Sequence, residues 1–202
     1  MGQQIIGQRI IGLTGGIATG KSTVSRYLEE KHQIPVLDAD VYARQAVDVG
    51  SPVLGAIVAR YGAAMLNPDG SLNRGQLGEL VFHDAQEKEW LEQQIHPVVR
   101  QCFRQAMADL ADVPIVVQAI PLLFEAGLTD QVTEIWVVAC DPDQQRQRLM
   151  TRNGLTIEQA EARIASQMPL AEKIALADRV LDNSGDVETL FRQVDQALHQ
   201  GG

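Results

Sequence analysis

Gly15-Gly16-Ile17-Ala18-Thr19-Gly20-Lys21-Ser22 is the stretch from which the fold of this chain can be read. It fits G-x-x-x-x-G-K-[ST] with no mismatch, the spacing of a phosphate-binding loop, or P-loop. Glycines let the backbone curl so that successive N–H groups point inward at phosphate oxygens. In such a loop Lys21 reaches the β- and γ-phosphates, and the Ser22 hydroxyl takes one Mg²⁺ coordination position. The flanks supply the context that the motif requires. Arg9-Ile10-Ile11-Gly12-Leu13-Thr14 reads as a buried strand, and Thr23-Val24-Ser25-Arg26-Tyr27-Leu28-Glu29-Glu30 as a helix. The positive N-terminal end of that helix favours phosphate. The pattern implies a bound nucleoside triphosphate.

Outward from the loop, apolar runs alternate with helical periodicity. Ile34-Pro35-Val36-Leu37 ends in Asp38-Ala39-Asp40, and open parallel sheets place their chemistry at the carboxyl ends of strands. Helices are expected from Val41 to Val49, stopped by Gly50-Ser51-Pro52, from Val53 to Tyr61 and from Asn73 to Phe82. A turn is expected at Asn67-Pro68-Asp69-Gly70. Trp90, Leu91, Ile95, Val98, Val99 and Phe103 then recur at helical spacing. Pro97 lies within that run and predicts a break or kink beside His96.

No convincing strand falls between residues 41 and 111, which predicts a helical insertion between strands of the sheet. Ile115 to Ile120 resumes the sheet, followed by Pro121-Leu122-Leu123-Phe124-Glu125. Glu134 to Cys140 is a further buried strand, closed by the turn-like Asp141-Pro142-Asp143. Helices follow from Gln144 to Arg152 and from Ile157 to Gln167, then a short strand, Arg179 to Leu181, and a closing helix from Val187 to His199. Five strands alternating with helices predict an α/β fold with a parallel sheet covered on both faces.

The chain has 202 residues, enough for one sizeable core with an inserted subdomain. A net charge of −9 argues against a non-specific nucleic-acid binder, which usually carries a basic face. Phosphate substrates must therefore be drawn in by a local cluster of Lys and Arg. Cys102 and Cys140, each in an apolar segment, suit buried thiols in a reducing cytosol. No stretch is long and apolar enough to span a membrane. A cytoplasmic enzyme is expected.

Several residues are candidates for chemistry. Asp38 and Asp40 follow the second strand: one could position Mg²⁺ or its water shell, the other accept a proton from an attacking hydroxyl. Alternatively, one of them caps the following helix. Arg148 and Arg152 are four residues apart and share a helix face, and with Arg146 and Arg163 they form an arginine-rich arm of the kind that can close over a γ-phosphate. His96 either caps backbone at the helix break or faces a substrate. Glu125 is a loop carboxylate or a site residue, and Asn183 is a turn former or a donor–acceptor pair for adenine. The histidines and cysteines show no zinc spacing.

Three classes share this loop. A signalling GTPase should carry Asn-Lys-x-Asp, which is absent. An ATPase motor or transporter subunit should end an apolar strand in acidic residues, and Val116-Val117-Gln118-Ala119-Ile120 does not. A small-molecule kinase needs the loop, a carboxylate near the acceptor hydroxyl, an arginine lid and a helical acceptor domain, and all four have candidates here.

The chain resembles the dephospho-coenzyme A kinase family over nearly its whole length. The resemblance rests on Gly12-Leu-Thr-Gly-Gly-Ile-x-x-Gly-Lys-Ser-Thr-Val24, Asp38-Ala-Asp-x-x-Ala-Arg44, Leu72-x-Arg74, Val81-Phe82 and His96-Pro97. It continues through Pro121-Leu-Leu-x-Glu125, Gln145-x-x-Arg148-x-x-x-Arg152 and Ala177-Asp178-x-Val180-x-Asp182-Asn183-x-Gly185. The resemblance implies ATP-dependent phosphorylation of the ribose 3′-hydroxyl of dephospho-coenzyme A, the last step of coenzyme A synthesis.

It also implies a three-layer P-loop NTPase-type fold. The nucleotide core would comprise residues 9–40, 112–143 and 177–200, the helical acceptor domain 41–111 and the lid 144–176. Gly15, Gly16, Ile17, Ala18, Thr19, Gly20, Lys21, Ser22 and Thr23 would then hold the phosphates of ATP, with Mg²⁺ on Ser22. Arg148 and Arg152 belong to the lid, and Asn183 and Gly185 lie at adenine. Asp40 becomes the base on the 3′-hydroxyl, with Asp38 near the same site. Arg44, His96, Leu122, Leu123 and Glu125 fall on the acceptor side. The partner is a small molecule, with no nucleic acid and no membrane, and the chain would be a monomer or small homo-oligomer. One departure stands inside the loop: the family usually has glycine at position 18, and Ala18 resists positive φ.

Overall fold

The computed structural model describes residues 7–200. The chain divides into two compact units, one made of residues up to Asp38 and from Ala111 onward, the other of Ala39–Leu110. The first is a five-stranded parallel sheet with helices. Its strands are β1 (Arg9–Gly15), β2 (Val36–Asp38), β3 (Ile115–Ala119), β4 (Glu134–Ala139) and β5 (Arg179–Asp182), in the order β2-β3-β1-β4-β5. Strand β1 lies centrally, with Ile11 beside Val117 of β3 and Glu134 of β4. Strands covered on both faces read as near-continuous apolar runs, which explains Ile10-Ile11 and Ile135-Trp136-Val137-Val138.

Ile11, Leu13, Val24, Leu28, Trp136, Leu190 and Val194 form the core of this unit, all fully buried. Each such side chain contributes roughly 1.5–3 kcal/mol of transfer free energy. Trp136 satisfies its indole N–H by donating to Glu134 Oε2 at 3.0 Å. Arg9 pairs with Glu134 and donates to the carbonyls of Ala197 (3.0 Å) and Leu198 (2.7 Å), tying the first strand to the end of the last helix.

The helices of this unit are α1 (Lys21–His32), α6 (Pro142–Asn153), α7 (Ile157–Ala165), α8 (Leu170–Ala175) and α9 (Val187–His199). The expected turn Asp141-Pro142-Asp143 is instead the start of α6. Asp141 caps it by accepting from the Asp143 and Gln144 amides, and Pro142 takes the first-turn position that needs no donor. The α8 segment shows no periodicity in sequence because six residues are too few to display one.

Residues Ala39–Leu110 form the second unit, built from α2 (Ala39–Gln45), α3 (Pro52–Tyr61), α4 (Arg74–His83) and α5 (Ala85–Asp109). Val53, Leu54, Ile57, Met65, Leu72 and Leu77 make its core, with Trp90 and Ile95 packed against it. Tyr61 meets Trp90 edge-on at 5.5 Å, and the Arg60 guanidinium lies 4.6 Å from the Trp90 ring centre. The turn at Asn67–Gly70 closes with Gly70 donating to the Asn67 carbonyl, Gly70 at φ 81°.

Two expectations are corrected here. Helix α2 begins at Ala39, not Val41, and ends at Gln45, because Ala46 and Val47 turn inward toward the core. Helix α5 runs without a break through Pro97. Proline removes a single backbone donor, and a 25-residue helix retains its other hydrogen bonds and its packed face. Among the described residues no helix is long and apolar enough to cross a membrane.

Candidate active site

The phosphate-binding loop joins β1 to α1, and its backbone makes that helix unlike its neighbours. Helices α3, α4, α5, α6, α7 and α9 are capped by Ser51, Asn73, Asp84, Asp141, Thr156 and Asp186 respectively. Helix α1 starts from Gly20 with no side-chain cap and no acidic residue in its first turn. Its first amides and the positive end of its dipole are thus left for an anion. Thr19, fully buried, closes the loop on itself: both its amide and its hydroxyl donate to the Gly16 carbonyl.

Lys21 Nζ lies 3.2 Å from Asp38 Oδ2, with the two side chains 11% and 21% exposed. The lysine read as the phosphate ligand is therefore held at the carboxyl end of β2 by the first acid of Asp38-Ala39-Asp40. The Glu29 carboxyl is pushed up by burial and, secondarily, by the charge of Asp38. Ser22 is exposed at the second position of α1.

Three side-chain amides grip the loop from elsewhere in the sheet unit. Gln145 Nε2 donates to the Ile17 carbonyl at 2.8 Å, and Gln167 Oε1 accepts from the Ile17 amide at 2.9 Å. Asn183 Nδ2 donates to the Thr19 carbonyl at 2.7 Å. The close approach explains two glycines. A Cβ on Gly16 would stand 2.6 Å from Gln145 Nε2, and one on Gly20 only 2.1 Å from Asn183 Nδ2. Gly20 also has φ 107°. Ala18 has φ 62°, so the position that sequence comparison with the family marked as unusual does occupy the left-handed region.

Arg148 is half-buried on α6, its Nη2 donating to the carbonyl of Asn183 (2.9 Å) and to Gln144 Oε1 (3.2 Å). Its guanidinium also meets the Cys140 thiol. Burial pushes the neighbouring Cys140 thiol up, with the Arg148 charge pulling the other way. Arg152 is exposed and bonds its neighbour Asn153. The two arginines share a helix but not an environment. Gly185 is exposed with open space around its missing Cβ, so local geometry does not demand glycine there.

The loop after β3 carries Leu122, 42% exposed, and Leu123, fully buried. A Cβ on Gly12 would sit 3.0 Å from Leu123, so Leu123 is a core residue with no surface for a substrate, contrary to expectation. Glu125 is likewise committed: its Oε1 takes the Lys173 ammonium at 2.9 Å and the Met168 amide at 3.0 Å. Burial alone would raise the Glu125 carboxyl, but Lys173 and the backbone amides outweigh it and hold it below the usual range. Lys173 is fully buried and also donates to the Pro121 carbonyl at 3.1 Å, which accepts from the Thr14 hydroxyl as well. Sequence reading missed Lys173, Gln145 as a loop ligand, and Gln167. Nothing local marks them: Gln145 lies among other polar residues of its helix, and Lys173 directly follows Glu172.

In the helical unit, Asp40 is exposed in the first turn of α2, where a carboxylate is favoured by the helix dipole. Arg44 is exposed in the last turn of the same helix, and its carbonyl accepts from Arg74 Nη2 at 3.1 Å. His96 is exposed midway along α5, within the helix and not at a break. No group of three or more His, Cys, Asp or Glu poised to hold a metal occurs among the described residues.

The dephospho-CoA kinase family model (CoaE) matches residues 9–189, nine-tenths of the chain. The chain belongs to the dephospho-CoA kinase family. Its reaction is accordingly the ATP-dependent phosphorylation of the 3′-hydroxyl of dephospho-CoA, the final step of coenzyme A biosynthesis. A dephospho-CoA kinase from Synechocystis sp. is 62% identical over 192 residues, covering 95% of this chain and 96% of that one. Among solved structures, TT1252 from Thermus thermophilus superposes with a TM-score of 0.80 at 35% identity, covering 97% of this chain and 99% of the other. Dephospho-CoA kinase from Campylobacter jejuni superposes with a TM-score of 0.70 at 26% identity, covering 95% and 96%.

Proposed function

We propose that the residues above divide this phosphoryl transfer as follows. Lys21 and the uncapped amides at the start of α1 hold the β- and γ-phosphates of ATP and stabilise the charge that develops on them. The single observation that carries this assignment is Lys21 held 3.2 Å from Asp38 at the bare end of that helix. ATP entering the loop would take over part of the lysine's charge, leaving Asp38 as a carboxylate near the γ-phosphate.

Asp40 accepts the proton of the acceptor 3′-hydroxyl as its oxygen attacks the γ-phosphorus, and ADP departs. Arg148 and Arg152, on the segment 144–176 that we read as a lid, add positive charge over the transferred group. Arg148 is fixed beside the loop after β5 by its bond to the Asn183 carbonyl, which supports that role more strongly than exposure supports it for Arg152. Asn183 acts first on the loop, through Thr19, and Gly185 borders adenine. Arg44, His96 and Leu122 line the acceptor side. Glu125 serves there indirectly, by fixing its own loop through Lys173.

Mg²⁺ fits the donors present. Ser22 offers an exposed hydroxyl and Asp38 a carboxylate, both hard oxygens of the kind this ion prefers. When bound it neutralises phosphate charge, with most of its ligands coming from ATP and water. The protein works as a monomer or small homo-oligomer in the cytoplasm, without nucleic acid.

Incubation with Mg-ATP and dephospho-CoA should give a 3′-phosphorylated product, with other hydroxyl acceptors left untouched. Asp40→Asn should keep ATP affinity while turnover falls roughly a hundredfold or more. Unchanged turnover would move the base to Asp38.

A further inference from the structure

The P-loop of this chain holds a conflict that its motif does not reveal. Ala18 sits at φ 62°, a region that costs any residue with a Cβ and that glycine enters freely. Left to itself, the loop would relax by rotating the peptides on either side of Ala18, and the amides around it would turn away from a phosphate. The peptide on the N-terminal side of Ala18, and the one before it, are gripped from the rest of the sheet unit. Gln145, 4% exposed on α6, donates to the Ile17 carbonyl. Gln167, just beyond α7, accepts from the Ile17 amide. Both backbone groups of the residue before Ala18 are thus occupied, with opposite polarity, by two side chains arriving from either end of the α6–α7 pair.

We infer that Gln145 and Gln167 are positioning residues that hold the phosphate-binding loop in its receiving shape against the strain at Ala18. They do not touch the reacting atoms; they act through the amide and carbonyl of Ile17, in two successive peptides. The inference rests on reading Gly15–Ser22 as the phosphate seat. It assigns to the α6–α7 segment a second duty besides carrying arginines: nucleotide affinity depends on where that segment's ends stand. A polar pair used only as packing would not need a donor and an acceptor matched to the carbonyl and amide of one residue. Nor would Gly16 need to leave room for the Gln145 amide at 2.6 Å from its missing Cβ.

The test is ATP titration by calorimetry together with steady-state kinetics on Gln145→Ala, Gln167→Ala and each combined with Ala18→Gly. Removing either glutamine should raise the ATP Kd and KM roughly tenfold, the scale of one lost hydrogen bond at a strained site, with KM for dephospho-CoA unchanged. Adding Ala18→Gly should bring the ATP Kd back to within about threefold of the parent, because the glycine loop needs no clamp. Gln145→Glu should bind ATP worse than Gln145→Ala, since it sets a carboxylate against the Ile17 carbonyl. An ATP Kd within twofold of the parent in both alanine variants would overturn the inference, as would no recovery on adding Ala18→Gly. Gln167 is less buried than Gln145, so its variant carries the test if Gln145→Ala does not fold. A protein that binds ATP but leaves dephospho-CoA unphosphorylated would refute the acceptor assignment, while the titrations still decide the clamp.

Discussion

Lys173 is where a single substitution should be most revealing. Its side chain is fully buried, and it neutralises Glu125, whose own side chain is 23% exposed. Lys173→Met keeps the length and much of the volume but removes the charge. Glu125 is then left largely out of water with the Met168 amide and its own, while the Pro121 carbonyl keeps the Thr14 hydroxyl. Breaking a buried pair from one side costs about 3–5 kcal/mol. The partial exposure of Glu125 and its remaining amides place this case near the lower figure, about 3 kcal/mol. In a domain of this size about 1 kcal/mol moves Tm by roughly 2–4 °C, so melting should fall by about 6–12 °C.

Thermal unfolding followed by circular dichroism measures this, and the pair Lys173→Met with Glu125→Gln tests its origin. If the stranded carboxylate is the cause, the double variant should recover most of the loss. The sign of the pH effect follows from the lowered Glu125 carboxyl. A carboxyl depressed in the folded chain stabilises it above the ordinary value of about 4.3 and loses that contribution as pH falls through the folded value. The gap between parent and Lys173→Met should therefore narrow below roughly pH 4. A single variant melting within about 2 °C of the parent, or a double variant no better than the single, would refute the reasoning.

Two further outcomes follow from the loop. Gly20→Ala places a methyl group 2.1 Å from Asn183 Nδ2 at φ 107°, so strain and the lost bond to Thr19 should together cost about 2–4 kcal/mol. ATP titration should show affinity reduced by at least tenfold; normal affinity would mean that Asn183 is not a fixed support. Ala18→Gly removes about 1–2 kcal/mol of left-handed strain and adds about 0.5–1 kcal/mol of unfolded-state entropy. Denaturant unfolding should show a net gain of about 0.5–1 kcal/mol, and a net loss would show that the left-handed conformation of Ala18 carries no strain.

Much of this was legible in sequence because the signals were local. The loop motif, its flanking strand and helix, and the apolar runs of β3 and β4 are each contained in a few consecutive residues. Helix α9, from Val187 to His199, was read to the residue because its periodicity is strong and Asp186 caps it. What escaped depends on partners distant along the chain. Lys173 looks like an ordinary surface lysine until Glu125, 48 positions earlier, is folded against it. Gln145 and Gln167 read as polar positions on exposed helices, since nothing nearby in sequence announces the backbone of Ile17. Pro97 leaves a break or a kink open in sequence, and of the two the break is overridden by the packing of a long helix. Glu125 and Leu123 were correctly placed on one loop, but sequence cannot tell a side chain that faces a ligand from one that faces the core.

The position of β1 in the sheet has a consequence for the newborn chain. This strand is made before the others of the sheet, yet Ile11 finds its neighbour Val117 only after about a hundred more residues have been added. At roughly 5–20 residues per second, an apolar strand waits several seconds or longer on the ribosome with both edges bare. During that wait Ala39–Leu110, whose core contacts are all its own, can already close. Pulse proteolysis of arrested chains reads that order directly. The segment most in need of early shelter during synthesis is the one that ends in the phosphate-binding loop.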